Sequence, residues 1–353
     1  MNRLSRLACF FLLPLALAAC DSSAPGDDVS GVYVLNQGAF GNDASGGVTT
    51  YDPETGTAGA LSAPGGLVQA GVVRDGRLYL LINFSDSFTT GRGRLDVIDV
   101  ETGATLQQID VGTPRGIAFV GQTAFVTDLY GAAVTPVDLA SGTAGTPIPV
   151  GDNPEGIAFA SGQLFVANSG FGFGTTVSVI DPGARTVTET IDLECESPND
   201  VLTDERDNVW VMCNGRSDFS TGNVVAPGQI LGLDADARTV VSRSVFGGQT
   251  LGGSALGQDL AYDADEDELY FIASPDEVLR FFPRDSSTPE SILVAGGNAA
   301  GIGFADGQLY VARLDAANPF SDDGAVSVVS PDGTVTDGFD AGVVPAAFAF
   351  DLD

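Results

Sequence analysis

The chain contains neither histidine nor lysine. The first absence removes the commonest general base near neutral pH and the commonest nitrogen ligand for zinc, copper or haem, and many hydrolytic and redox mechanisms go with it. The second makes every one of the 15 cations an arginine, set against 47 acidic residues, for a formal charge of −32. Such a surface repels nucleic acid and anionic lipid and suits a salty medium that screens self-repulsion. Serines are plentiful, but none has a histidine partner or a nucleophile-elbow context, and no glycine-rich stretch stands between a strand and a helix. Acid-rich loops such as Asp263 to Asp267 and Asp322-Asp323 lack the alternating spacing of a dedicated calcium loop, so no metal and no cofactor is expected. No catalytic residue set stands out either. One alternative stays open: Asp128, Glu155 and Asp200 could share a funnel mouth as a paired-carboxylate site.

Long hydrophobic runs are also scarce. Leu7 to Leu17, behind Arg3 and Arg6, is too short for a membrane span and reads as a signal peptide. Leu17-Ala18-Ala19-Cys20 resembles a bacterial lipobox, in which Cys20 receives lipid once the leader is removed. The expected organisation is a leader over 1–19, a lipidated tether over 20–30 and one folded unit over 31–353. Of four cysteines, Cys9 leaves with the leader and Cys20 carries lipid, so Cys195 and Cys213 remain, flanking a predicted hairpin. Export favours a disulfide between them.

What the chain does have is repetition. An aromatic recurs at Tyr33, Tyr79, Phe125, Phe165, Trp210, Tyr270 and Tyr310 with a mean step of about 46 residues, each inside a short apolar run such as LYLLIN or LFVAN. Upstream stands a second element: QAGVV, RGIAF, EGIAF, NDVLT, QDLAY and AGIGF, with a last copy, AAFAF, at 346–350. Downstream comes a third strand closed by a turn, as in VTTYDPETG and VSVIDPGAR, then usually a fourth. Four antiparallel strands per repeat describe a propeller blade, with small residues in the innermost strand fitting the crowded axis. The first repeat lacks its innermost strand and the last copy has nothing after it. The prediction is an all-β, seven-bladed propeller closed by the C-terminal strand pairing into the first blade, which hides two sheet edges.

Sequence in excess of the blades lies in the loops between second and third strands, which open on the same face as the links into each innermost strand. Long loops on a rigid scaffold are where recognition lives. The candidates there are the strand-end residues Asn36, Asn83, Asp128, Asn168 and Asn214, with turn capping as the purely structural reading. Beside them stand the loop aromatics Phe40, Phe84, Phe88, Tyr130, Phe171, Phe173, Phe219 and Phe320, where at least three are expected to form one patch. The arginines Arg92, Arg115, Arg216 and Arg313 and the link residues Glu155, Asn199, Asp200 and Asp259 complete the set.

Phrases such as VSVIDP, EGIAF and LFVAN resemble the YncE-like, surface-layer type of seven-bladed propeller over residues 31 to 353. The opening GVYVLNQGAFG with its YDPETG turn is similar to a group of lipid-anchored bacterial propellers, one branch of which captures cobalamin and hands it to a transporter. The resemblance implies a noncatalytic outer-membrane lipoprotein, monomeric, that binds a small ligand such as a corrinoid or docks on an outer-membrane receptor or transporter through its loop face, with Asn36 and its flanking loop in the site. Gln37 stands where that group often has Glu. The alternatives are a metal-dependent enzyme of the lactonase or lyase kind and a purely structural interaction module.

Overall fold

A computed structural model describes residues 29–254, 257–282, 289–294 and 297–352. The expected leader, Cys20 and most of the tether lie outside these residues. The described chain forms seven antiparallel blade sheets and one two-stranded ribbon, Arg216–Ser217 with Val224–Ala226, in the loop of blade 5. Blade 1 combines Pro345–Leu352 as its innermost strand with Val29–Asn36, Gly47–Asp52 and Thr57–Ser62. Blades 2 to 7 then follow in chain order, with innermost strands Leu67–Arg74, Pro114–Val120, Pro154–Ala160, Pro198–Thr203, Leu260–Asp263 and Ala299–Ala305. Six blades have four strands. In blade 3 the outer edge is broken into Thr143–Ala144 and Ile148–Pro149, both paired with Ala133–Asp138. The only helical segments among the described residues are one turn at Ser87–Thr90 and a 3-10 turn at Gly170–Gly172.

Ring closure follows the predicted pairing. Val32, Val34 and Leu35 stand opposite Phe350, Phe348 and Ala347, so the two ends of the described chain share one sheet.

The repeated aromatic holds the blades together. Seven buried clusters lie one at each interface between neighbouring blades, and each contains one of the seven: Tyr33, Tyr79, Phe125, Phe165, Trp210, Tyr270 or Tyr310. Burying such a side chain contributes about 1.5–3 kcal/mol, so the column forms a continuous belt around the ring. At the outer edge the third strands of blades 1 to 5 end in an aspartate, Asp52, Asp99, Asp138, Asp181 or Asp234, whose carboxylate accepts backbone N–H groups two or three residues on. This local bond fixes the turn into the fourth strand.

The Cys195–Cys213 disulfide is present, with its Cα atoms 6.2 Å apart, and joins the lead-in to blade 5 to the end of that blade's second strand. Near the axis the innermost strands approach closely. A Cβ on Gly156 would lie 2.5 Å from the Asn199 carbonyl, and one on Gly301 would lie 2.1 Å from that of Ala346. Glycine is required there for proximity.

A chain ending at Val344 is expected to lose the closing strand and expose the strand Val29–Asn36. It should lose its cooperative thermal transition by circular dichroism and become open to limited proteolysis in blade 1; a transition unchanged from the full chain would contradict closure by this pairing.

Candidate functional site

The innermost strands share an irregularity that builds the site. In blades 2, 3, 4, 5, 7 and 1 the register slips at the start of the strand, around Gln69, Arg115, Glu155, Asn199, Ala300 and Ala346. A bulge re-aims the side chain it carries. These residues occupy the first column of the repeated QAGVV-type element, and Gln69, Arg115, Glu155 and Asn199 converge at the top of the axis, where all four line two cavities at once.

Above this ring is a bowl of about 510 Å³ built by blades 1 to 5. Its wall carries Phe40, Phe84, Phe88, Tyr130 and Phe171. Tyr130 and Phe171 lie 5.8 Å apart between ring centres, tilted by 46°. Phe40, Phe88, Tyr130 and Phe171 remain exposed despite their apolar rings. Below the ring an axial channel of about 420 Å³ runs past Gly71, Gly116 and Gly156 toward Tyr262, Phe304 and Phe350. On the side of blades 6 and 7 the axis is crossed by Gly257, Gln258 and Asp259. There the Gln258 N–H donates to the Ala346 carbonyl at 2.8 Å, and its carbonyl accepts from Ile302 at 2.7 Å.

The ring is electrostatically closed. Arg115 Nε donates to Glu155 Oε2 at 2.6 Å, and Arg115 Nη1 donates to Gln69 Oε1. Thr127 Oγ1 takes the Gly116 N–H at 2.8 Å and donates to the Glu155 carbonyl at 2.8 Å, tying blade 3 to blade 4 at the bulge. Asp200 lies on the channel wall and accepts the Asp259 N–H at 2.6 Å. Burial pushes its carboxyl up to about 7; the Glu155 charge adds to the rise, and the Asp259 hydrogen bond and Arg115 oppose it. Asp259 is raised well above its ordinary value, first by burial and then by Asp200.

Phe171 owes its position to its backbone. It stands in the left-handed region at φ 53°, between Gly170 and Gly172, in a turn held by Gly172 N and Gly174 N donating to the Ser169 carbonyl. A non-glycine residue pays about 1 kcal/mol for that conformation.

Of the candidates read from sequence, Phe40, Asn83, Phe88, Arg115, Tyr130, Glu155, Phe171, Asn199 and Asn214 line the bowl, and Asp200 lines the channel with Arg115, Glu155 and Asn199. The rest stand elsewhere. Asn36 is buried, donating to Thr49 Oγ1 and accepting the Gly342 N–H, which links blade 1 to blade 7. Asp128 closes its own turn by accepting from Thr113 and Gly131, and Asn168 spends its amide on Gly151, Thr176 and Ser178. Asn83 borders the bowl, but its Nδ2 donates to the Pro114 carbonyl. Arg92 pairs with Asp86 over the Phe84 ring, and Arg216 pairs with Glu196 over Phe173, outside the bowl. Asp259 is buried behind the channel wall, its Oδ1 accepting from Gly253. Arg313 is half-buried, lines neither cavity and makes no ion pair among the described residues; burial lowers its pKa. Phe84, one of the expected loop aromatics, lines the bowl, whereas Phe219 and Phe320 are exposed and line neither cavity. Gln69 and Gln258 were absent from the sequence candidates. Aligning the innermost elements column by column would have revealed Gln69 and Gln258, since they share a position with Arg115, Glu155 and Asn199.

No protein-family model matches the chain, and no curated protein is similar to it. Solved structures share its fold. A putative 6-phosphogluconolactonase from Bacteroides uniformis is 16% identical over 92% of this chain and 100% of its own, with a TM-score of 0.65. A second, from Bacteroides fragilis, is 13% identical over 92% and 98%, with a TM-score of 0.66. The WD40 domain of Neurospora crassa Pan2 is 13% identical over 82% and 80%, with a TM-score of 0.56. At these identities the likeness establishes the propeller and nothing finer.

Two outcomes follow from the site's strain and charge. Phe171→Gly relieves the left-handed strain and should raise stability by about 1 kcal/mol in denaturant unfolding; destabilisation would show that the ring packs rather than projects. Asp200 is raised in the folded state, so its contribution is fullest below its ordinary value of 3.8 and is lost as pH rises through about 7. Wild type and Asp200→Asn should therefore unfold at similar temperatures in acid, and the variant should be the more stable above neutrality.

Proposed function

We propose that this chain is a binding propeller of the cell envelope that captures a small molecule in the bowl above its axis. The observation that carries this reading is the convergence of Phe40, Phe88, Tyr130 and Phe171, from four different blades, around one concave space floored by polar side chains. Exposed aromatics are costly in solution and worth having where they meet a ligand, and a volume of this size suits a small-molecule site. A corrinoid, which the family resemblance implies, is a poorer fit, because the bowl is built by blades 1 to 5 alone and does not extend over the whole ring.

In the same reading Cys20 anchors the chain in the outer membrane. Val29, the first described residue, pairs with Leu352 at the end of blade 1 remote from Asn36 and the bowl, so an anchor upstream would join the folded unit at the face opposite the bowl. Such an anchor would leave the bowl open to free ligand or to a transporter docking on the rim.

A second reading, an enzyme of the lactonase or lyase kind, is supported by Asp200. A carboxyl that titrates near neutrality beside Glu155 and Arg115 is suited to general acid–base work. Two proteins of the same fold are described as putative 6-phosphogluconolactonases. Among the described residues no three acidic or thiol groups are grouped so as to hold a metal ion.

A fragment screen by saturation-transfer NMR separates the two. The binding reading expects hits that transfer from aromatic protons and are lost in Phe171→Gly once its circular dichroism matches wild type; a screen without bowl-directed hits would sink it. The catalytic reading expects turnover of a lactone panel that disappears in Asp200→Asn, and no turnover in wild type would end it.

A further inference from the structure

The charge state and hydrogen-bonding capacity of the bowl floor narrow the ligand class. Among the described residues Arg115 is the floor's only cation and Glu155 its only anion, and their side chains are 10% and 13% exposed. An anionic ligand would have to take Arg115 from Glu155, leaving a buried carboxylate unpaired with Asp200 close beneath it. A cationic ligand would have to take Glu155 and leave the guanidinium unpaired. Separating a buried pair in either sense is expensive. What the floor offers without disruption is the remaining donors and acceptors of four planar polar groups, Gln69, Arg115, Glu155 and Asn199, set side by side. Neighbouring hydroxyls, each both donor and acceptor, match such a set. A flat, purely apolar ligand would fill the wall but leave these groups desolvated and unpaired. The splayed faces of Tyr130 and Phe171 suit the C–H face of a ring rather than a narrow chain.

We propose that the bowl takes an uncharged saccharide, its C–H face against Tyr130 and Phe171 and its hydroxyls on the Gln69–Arg115–Glu155–Asn199 floor. This rests on the bowl being the binding site. In this arrangement the ion pair serves specificity: it excludes sugar acids and amino sugars of the same shape.

The test is an NMR titration of the full chain with matched probes: methyl glycosides of the common hexoses, the corresponding uronates, the corresponding amino sugars, and indole as a flat apolar control. At least one methyl glycoside should shift the Tyr130 and Phe171 ring signals and bind about tenfold tighter than its uronate and its amino sugar. Gln69→Ala and Tyr130→Ala should each weaken it about tenfold. Glu155→Gln frees Arg115 and should invert the preference in favour of the uronate. A uronate or amino sugar binding wild type as tightly as the glycoside overturns the inference. If indole alone shifts those rings, the saccharide fails and the bowl stands as a small-molecule site; if no probe shifts them, both fail.

Discussion

Everything in this protein is referred to one strand pairing, between the residues just before Asn36 and the last residues described. Blades stack only through their neighbours, so an open array would present two unpaired edges and two uncovered apolar faces. Pairing Val32, Val34 and Leu35 with Phe350, Phe348 and Ala347 removes both edges together and brings Tyr310 against Phe348 and Phe350 across the last interface. Closure also fixes the axis. Only when the ring is complete do innermost strands from blades 2 to 5 face one another closely enough for Gln69, Arg115, Glu155 and Asn199 to meet.

Within that constraint the repeated bulge turns a scaffold into a site. Regular innermost strands would alternate their side chains between neighbouring blades and give the axis little chemistry. A slip recurs at the same place in six blades; in blades 2 to 5 it aims one side chain per blade at the top of the channel, and backbone groups released from the ladder find partners such as Thr127. The seven positions do not share one residue type. Blades 2 to 5 supply Gln, Arg, Glu and Asn, while blades 7 and 1 supply Ala300 and Ala346, beside which Gln258 reaches across the axis. Recognition is thus concentrated on one side of a symmetric frame.

Much of this was legible in the chain. The seven aromatics, the seven innermost elements and the displaced first strand determine blade number and closure, because each signal is a periodic burial pattern and burial is what the repeats share. The Cys195–Cys213 bridge was legible from the predicted hairpin. The site was only half legible. Asn36, Asp128 and Asn168 resemble loop-end ligands in sequence, but a short polar side chain at a strand end is claimed first by nearby backbone N–H groups, and whether any is left over depends on the neighbouring blade. Gln69 was passed over for the opposite reason. An uncharged glutamine in an innermost strand gives no chemical signal by itself; its significance is positional, and the bulge that confers it is invisible without pairing register.

The scarcity of cations explains why the site is neutral. With no lysine and a large excess of acid, an arginine is valuable wherever two carboxylate-bearing loops approach, and most are committed to pairs. Arg94 pairs with Asp96 and caps the Pro64 and Gly65 carbonyls, Arg216 pairs with Glu196, and Arg280 lies between Glu268 and Glu290. Arg115 follows the same rule at the axis. A free arginine there would draw in the protein's own acidic loops or any passing anion, and an unpaired glutamate would sit beside the Asp200 carboxyl at the cost of still more repulsion. Pairing the two within the ring cancels both liabilities while leaving their spare hydrogen-bonding directions open to the bowl. An intensely acidic protein thereby keeps a recognition surface that its own net charge does not dominate.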